Sequence, residues 1–173
     1  LLAFAPGLVL LILTYTLLTA FRDFRDNYSA DVWKILGYGN SPEIFTKTET
    51  PVTLAILVIM GSIMFIRSNR NAFMINQIIV LSGMVLVGVA TLLFDRGLIS
   101  ATPWMIMLGM GLYLGYVPFN SILFDRMIAT FRYVSTVGFL IYLADAFGYL
   151  GSVGVLLYKE LGQPSLSWLD FFI

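Results

Sequence analysis

Gly138-Phe-Leu-Ile-Tyr-Leu-Ala-Asp145-Ala-Phe-Gly-Tyr-Leu-Gly-Ser-Val-Gly-Val-Leu-Leu-Tyr158 is apolar or uncharged throughout, apart from one carboxylate. A transmembrane helix needs about 20 predominantly apolar residues, and this stretch supplies them. An aspartate at the centre of such a helix costs about 2.5 to 3.5 kcal/mol on insertion scales, so it is expected to face protein or a wet cavity rather than lipid. Two readings of Asp145 follow. It either belongs to a transport path, titrating or pairing with a cation such as Arg22 from another helix, or it is a hydrogen-bonded group that locks helix packing. Tyr142 and Tyr149 lie three and four residues from it, which places phenols beside it on its own helix. Gly148, Gly151 and Gly154 recur every third position and permit close approach of a second helix.

Outward from this stretch the same pattern repeats. Apolar runs cover about 1–21, 51–66, 73–94, 102–124 and 135–158, and another begins near 165 and continues to 173. The expectation is an all-α membrane protein in one domain: a transmembrane helix bundle of five full spans and the start of a sixth. The chain opens on Leu1 and stops within the sixth run, so it reads as a fragment of a longer protein. Thr50 and Pro51 read as N-cap and first helical residue of the second span. The turns at 67–70, 95–100 and 159–164 are short and force antiparallel neighbours. Residues 124–132 read as an interfacial connector. Residues 22–50 form the one longer extramembrane excursion, with a short interfacial helix at 30–36 and turn chemistry at 37–42. Lysine and arginine counts do not fix the orientation.

Composition narrows the function classes. Of 173 residues 59% are hydrophobic and 12% charged, against about 25% charged in ordinary soluble domains. The net charge is zero and there is no long basic run, so no nucleic-acid partner is expected. With neither Cys nor His, thiol nucleophiles, histidine acid–base chemistry and the usual zinc and haem sites are excluded from the chain. No enzyme activity, cofactor or metal is expected; the bilayer is the first partner.

Two further constellations carry polar chemistry. Tyr15, Thr19, Arg22 and Asp26 share one helical face at the end of the first span, with Arg22 and Asp26 an i,i+4 pair. Arg25 and, more weakly, Glu49 join them as groups for solute charge or a gate. The alternative is a solvated helix end with surface ion pairs of little worth. In span four Gly111 and Gly115 form a GxxxG pair, Pro118 can kink the helix, and Tyr113, Tyr116 and Asn120 make a polar stripe beside that weak point. Span three carries Ser82, Gly83, Gly88 and Thr91 but no charge, and reads as peripheral.

The tight helix pairing, the basic turn Arg67-Ser-Asn-Arg70, the run Gly115-Tyr-Val-Pro-Phe-Asn-Ser-Ile-Leu-Phe-Asp-Arg126 and the glycine-stepped fifth span together resemble the second six-helix half of a major facilitator superfamily transporter. More narrowly, Phe21-Arg-Asp-Phe-Arg-Asp-Asn27 and Gly138 to Ser152 resemble a bacterial membrane family known only as a domain of unknown function. The resemblance implies two inverted three-helix repeats and a bacterial cytoplasmic (inner) membrane location. Spans one and four then line the cavity, span three lies outside, and span five meets the N-terminal six-helix half of the same protein. The 22–50 excursion is on the outer side.

The function expected is the second half of a secondary transporter that moves a small polar or anionic solute by alternating access. Tyr15, Thr19, Arg22, Arg25, Asp26 and Glu49 bind solute or gate; Tyr113, Tyr116 and Asn120 line the cavity; Tyr142, Asp145 and Tyr149 couple or lock. One rival is a membrane scaffold or sensor that reuses the fold and binds a partner through 22–50. The other is a lipid-acting enzyme with Asp26 or Asp145 as base.

Overall fold

A computed structural model describes residues 5–132, 134–162, 165, 167, 169 and 170. Among them the architecture is all-α: α1 (Ala5–Ile35), α2 (Glu43–Ile63), α3 (Asn69–Asp95), α4 (Ala101–Pro118), a π-helical turn (Phe119–Leu123), α5 (Phe124–Phe131), α6 (Val137–Leu157) and a second π turn (Tyr158–Gly162). Five helical stretches are long and apolar enough to cross a membrane: Ala5–Ile35, Glu43–Ile63, Asn69–Asp95, Ala101–Phe131 and Val137–Gly162. The expected transmembrane bundle is therefore present, but several helix ends are not where the apolar runs stop. Of the expected sixth span, Leu169 and Asp170 are helical; most of the remainder lies outside the described residues.

The 22–50 excursion shrinks to a turn at 36–42, because α1 continues to Ile35 and α2 begins at Glu43. Residues 30–35 are thus the end of α1 and not a separate interfacial helix. Polar as 22–35 is, Phe24, Arg25, Val32 and Trp33 are buried there and hold the helix to the bundle. The stop is chemical: Gly37 takes φ +88°, Tyr38 N–H donates to Trp33 O at 2.8 Å and Gly37 N–H to Lys34 O at 3.2 Å. This is the Schellman pattern, and the Trp33 and Tyr38 rings close it edge to face.

Pro51 does not open α2; it lies inside it. Ile44 and Thr48, one turn apart, are buried before Pro51, and the Thr48 hydroxyl donates to Ile44 O at 2.8 Å. Tertiary burial of an i,i+4 pair thus carries the helix through a segment that reads as loop by composition. The expected connector at 124–132 is likewise a continuation of span four. Pro118 lacks the N–H for the preceding turn, the π turn absorbs the misfit, and α5 proceeds with Phe124 and Met127 buried.

Packing is closest where glycines meet. α3 lies along α4 through Gly83, Gly111 and Gly115, where an added Cβ would find backbone atoms of the facing helix at 2.5 to 2.9 Å in at least two places. α1 and α6 run side by side in the same direction, with Tyr15 and Thr19 against Gly148 and Thr16 against Gly151. α3 buries one stripe, Ala72, Asn76, Val80, Gly83 and Ala90, and exposes Met74, Ile78, Leu81, Val85 and Leu92. Such a face suits lipid, where association relies on close packing of small residues rather than on apolar contrast.

Candidate functional site

The polar residues of α1 face α4 and α6 at two levels. At the first, Tyr15 is fully buried. Its ring stacks on Tyr116 at 5.2 Å and 23° and tilts against Phe119 at 5.2 Å. Its hydroxyl donates to Asp145 Oδ1 on α6 and accepts from Asn120 Nδ2 at 2.8 Å. Asn120 reaches inward from the π turn, so the proline-linked irregularity of span four sits at the site. One turn further along α1, Thr19 is buried with its hydroxyl unpartnered among the described residues.

Arg22 follows. Its guanidinium carbon lies 3.7 Å from the centroid of the Tyr116 ring, a cation–π geometry, and its Nε donates to Asp23 Oδ1 at 3.0 Å. The second Asp23 oxygen accepts from Ser152 Oγ on α6 at 2.5 Å. Helical spacing predicts Arg22 with Asp26, and the lone charge of α6 invites a pairing with Asp145; the ion pair found is Arg22–Asp23. Its place over the Tyr116 ring holds the guanidinium where the adjacent carboxylate can meet it.

At the second level Arg25 is the hub, with its side chain 3% exposed. Nη2 donates to Glu49 Oε1 at 2.6 Å and Nη1 to Asp26 Oδ1 at 3.0 Å, while Nη2 also lies 3.4 Å from Met105 O. Tyr113 donates its hydroxyl to Asp26 Oδ2 at 2.9 Å. One guanidinium thereby ties α1, α2 and α4 together. It fits because Gly109 has no side chain: a Cβ there would sit 2.7 Å from Nη2. Arg25 Nε is buried without a partner among the described residues. With Val32, Trp104, Met105 and Leu108, Arg25 lines a cavity of about 10 Å³, too small for a solute.

Ten of the twelve expected residues thus fall into these two groups, one at each level, Thr19 by position alone. The other two, Tyr142 and Tyr149, do not touch Asp145 by hydrogen bond; they are 77% and 61% exposed, and the phenol on Asp145 is Tyr15 of another helix. Asp23 and Ser152 belong to the arrangement without being expected there. Asp23 is legible as the middle carboxylate of Arg22-Asp-Phe-Arg-Asp26, whereas nothing in the sequence distinguishes Ser152 from other small residues of the glycine-stepped span.

Four carboxylates, Asp23, Asp26, Glu49 and Asp145, stand here with two guanidiniums, Arg22 and Arg25, and both guanidiniums are engaged by carboxylates. Replacing Tyr15 by Phe keeps the stacked ring and removes both hydroxyl bonds. It is expected to lower the unfolding free energy in detergent by about 1 kcal/mol, read from reversible denaturation in mixed micelles; an unchanged value would mean that the hydroxyl contributes nothing to holding α1, α4 and α6 together.

No curated protein and no solved structure matches the chain. The match to a family model extends over residues 1–173, that is, over every helix that contributes to the polar arrangement, and the chain belongs to that family, a family of unknown function (DUF5690).

Proposed function

We propose that the chain is the second half of a secondary transporter of the major facilitator type, residing in a bacterial inner membrane and moving a small polar solute by alternating access. The observation that carries this reading is the continuous polar seam between membrane-spanning helices. It runs from Asn120 and Asp145 through Tyr15, Tyr116, Arg22 and Asp23 to Ser152, with the Arg25 hub beside it. Ionisable groups within spans are costly and mark solute or ion pathways. A structural core would not need so many of them. The π turn beside Pro118 adds support, because irregular helix at membrane depth is tolerated where protein or water satisfies the freed groups.

In this reading Tyr116 and Asn120 present the cavity wall, Arg25 with Glu49 and Asp26 holds α1, α2 and α4 as one body, and Asp145 couples solute movement to a change at its carboxylate. The pairing of both arginines with carboxylates weakens the anionic half of the solute expectation. The scaffold rival rests on 22–50 as a partner-binding loop, and most of that segment is helix.

The test is uptake of a panel of labelled amines, amino acids, sugars and carboxylates into proteoliposomes bearing the full-length protein. Parent protein is expected to accumulate at least one of them, and Asp145→Asn and Arg22→Ala each to slow that uptake. Parent vesicles that accumulate none would reject the transporter reading. Two variants that behave as the parent would remove Asp145 and Arg22 from the mechanism.

A further inference from the structure

Asp145 differs from the other carboxylates of the seam in what stands against it. Asp23 has Arg22, and Asp26 and Glu49 share Arg25. No lysine or arginine of the described residues lies within ion-pair distance of Asp145; its one hydrogen-bond partner there is the Tyr15 hydroxyl on Oδ1. The Tyr15 hydroxyl that donates to Asp145 also accepts from Asn120 Nδ2. Oδ2 has no partner among the described residues, and the residue is half-buried. Inside a membrane span, a carboxyl group with no lysine or arginine of the described residues against it leaves a place for a cation from outside the chain.

The surroundings say which kind. Asp145 lies at the margin of the α6 stripe that packs on α1, Ala144 and Gly148 being buried. The next residues round the helix on the open side are Tyr142 and Tyr149, one turn before and one turn after it, 77% and 61% exposed. Aromatic faces beside a carboxylate recognise an alkylammonium, the carboxylate taking the N–H groups or the charge and the rings taking the polarised methylenes. An anion would meet two more carboxylates than guanidiniums.

We infer that Asp145, flanked by Tyr142 and Tyr149, is the binding site for the ammonium group of a small organic amine, and that the solute of the transporter carries such a group. The inference rests on the transporter reading for the second clause only; the site itself is a statement about binding.

The experiment uses full-length protein in lipid nanodiscs and two probes matched in size, propylammonium chloride and sodium propionate, at constant pH and ionic strength. Propylammonium is expected to raise the thermal midpoint with saturation, and propionate to leave it unchanged. Asp145→Asn is expected to weaken propylammonium at least about tenfold, with Asp145→Glu retaining most of the binding. Tyr142→Leu and Tyr149→Leu, at exposed positions that do not threaten folding, are each expected to weaken it about threefold, and Tyr142→Phe to leave it intact. The inference is overturned if propionate gives the saturable shift, if propylammonium gives none, or if Asp145→Asn or both leucine variants bind as the parent does. Uptake of neutral or anionic solutes without ammonium binding would reject this site and leave the transporter reading standing. Saturable ammonium binding without uptake of any solute would do the reverse.

Discussion

Arg25→Ala is expected to lower the unfolding free energy of the detergent-solubilised protein by about 3 kcal/mol, near the lower end of the range for breaking a buried ion pair. The guanidinium is the one cation that Glu49 and Asp26 share, and it also approaches the Met105 carbonyl. Its removal leaves both carboxylates without their cation, and Asp26 with Tyr113 as its remaining side-chain partner among the described residues. It also opens a void beside Gly109, where the guanidinium fills the space a side chain would need. Glu49 and Asp26 are about one-third exposed, at 37% and 34% of their side-chain area, so water can rehydrate them and the loss stays at the lower end. Arg25→Lys should fall between parent and alanine, since one ammonium cannot reproduce the fork that contacts both carboxylates. Mixed-micelle denaturation checks both values. A loss below about 1 kcal/mol for the alanine variant would mean that the hub behaves as a surface ion pair.

Comparable damage is expected from one methyl group in the α3–α4 seam. A Cβ on Gly83 would lie 2.5 Å from Gly111 O and 2.9 Å from Gly115 N, and a Cβ on Gly111 would lie 2.6 Å from Gly83 O. Those neighbours are backbone, so the helices must separate along their most extensive contact. Gly83→Ala and Gly111→Ala should each cost about 2 to 3 kcal/mol. Gly88 lies on the same helix, and a methyl placed there would have nothing within 4 Å; alanine at that position should be neutral or stabilising by about 0.5 kcal/mol, through helix propensity and a less flexible unfolded chain. The contrast between positions 83 and 88, measured in the same assay, checks the packing directly. Equal effects at both would mean that α3 does not meet α4 through Gly83.

The bundle is legible in the sequence because hydrophobic length is a strong and local signal, and Gly111 and Gly115 announce a close approach for the same reason. Helix ends are less legible. Residues 22–50 read as an extramembrane excursion with a short interfacial helix at 30–36, and burial of Val32, Trp33, Ile44 and Thr48 makes 28–35 and 43–50 span ends instead. Pro51 suits the first turn of a helix, and a proline in that role cannot be told by sequence from one tolerated inside a buried helix. Pairings are the least legible. The i,i+4 rule joins Arg22 to Asp26, but the rule describes an isolated helix, and here the Tyr116 ring draws Arg22 aside toward Asp23. Spacing sets Tyr142 and Tyr149 beside Asp145 on α6; the phenol hydrogen-bonded to it is Tyr15, because α1 and α6 lie side by side in the same direction, a relation between distant segments that no local pattern encodes.

The central claim is that the seam opens to each side of the membrane in turn. Its most direct test is labelling of Asn120→Cys, in full-length protein with any other cysteine removed, by a membrane-impermeant maleimide applied to right-side-out and inside-out vesicles. Alternating access predicts labelling from both sides in vesicles that remain tight to ions, with solute shifting the ratio of the two rates. Labelling from one side alone, unaffected by any solute, would contradict it.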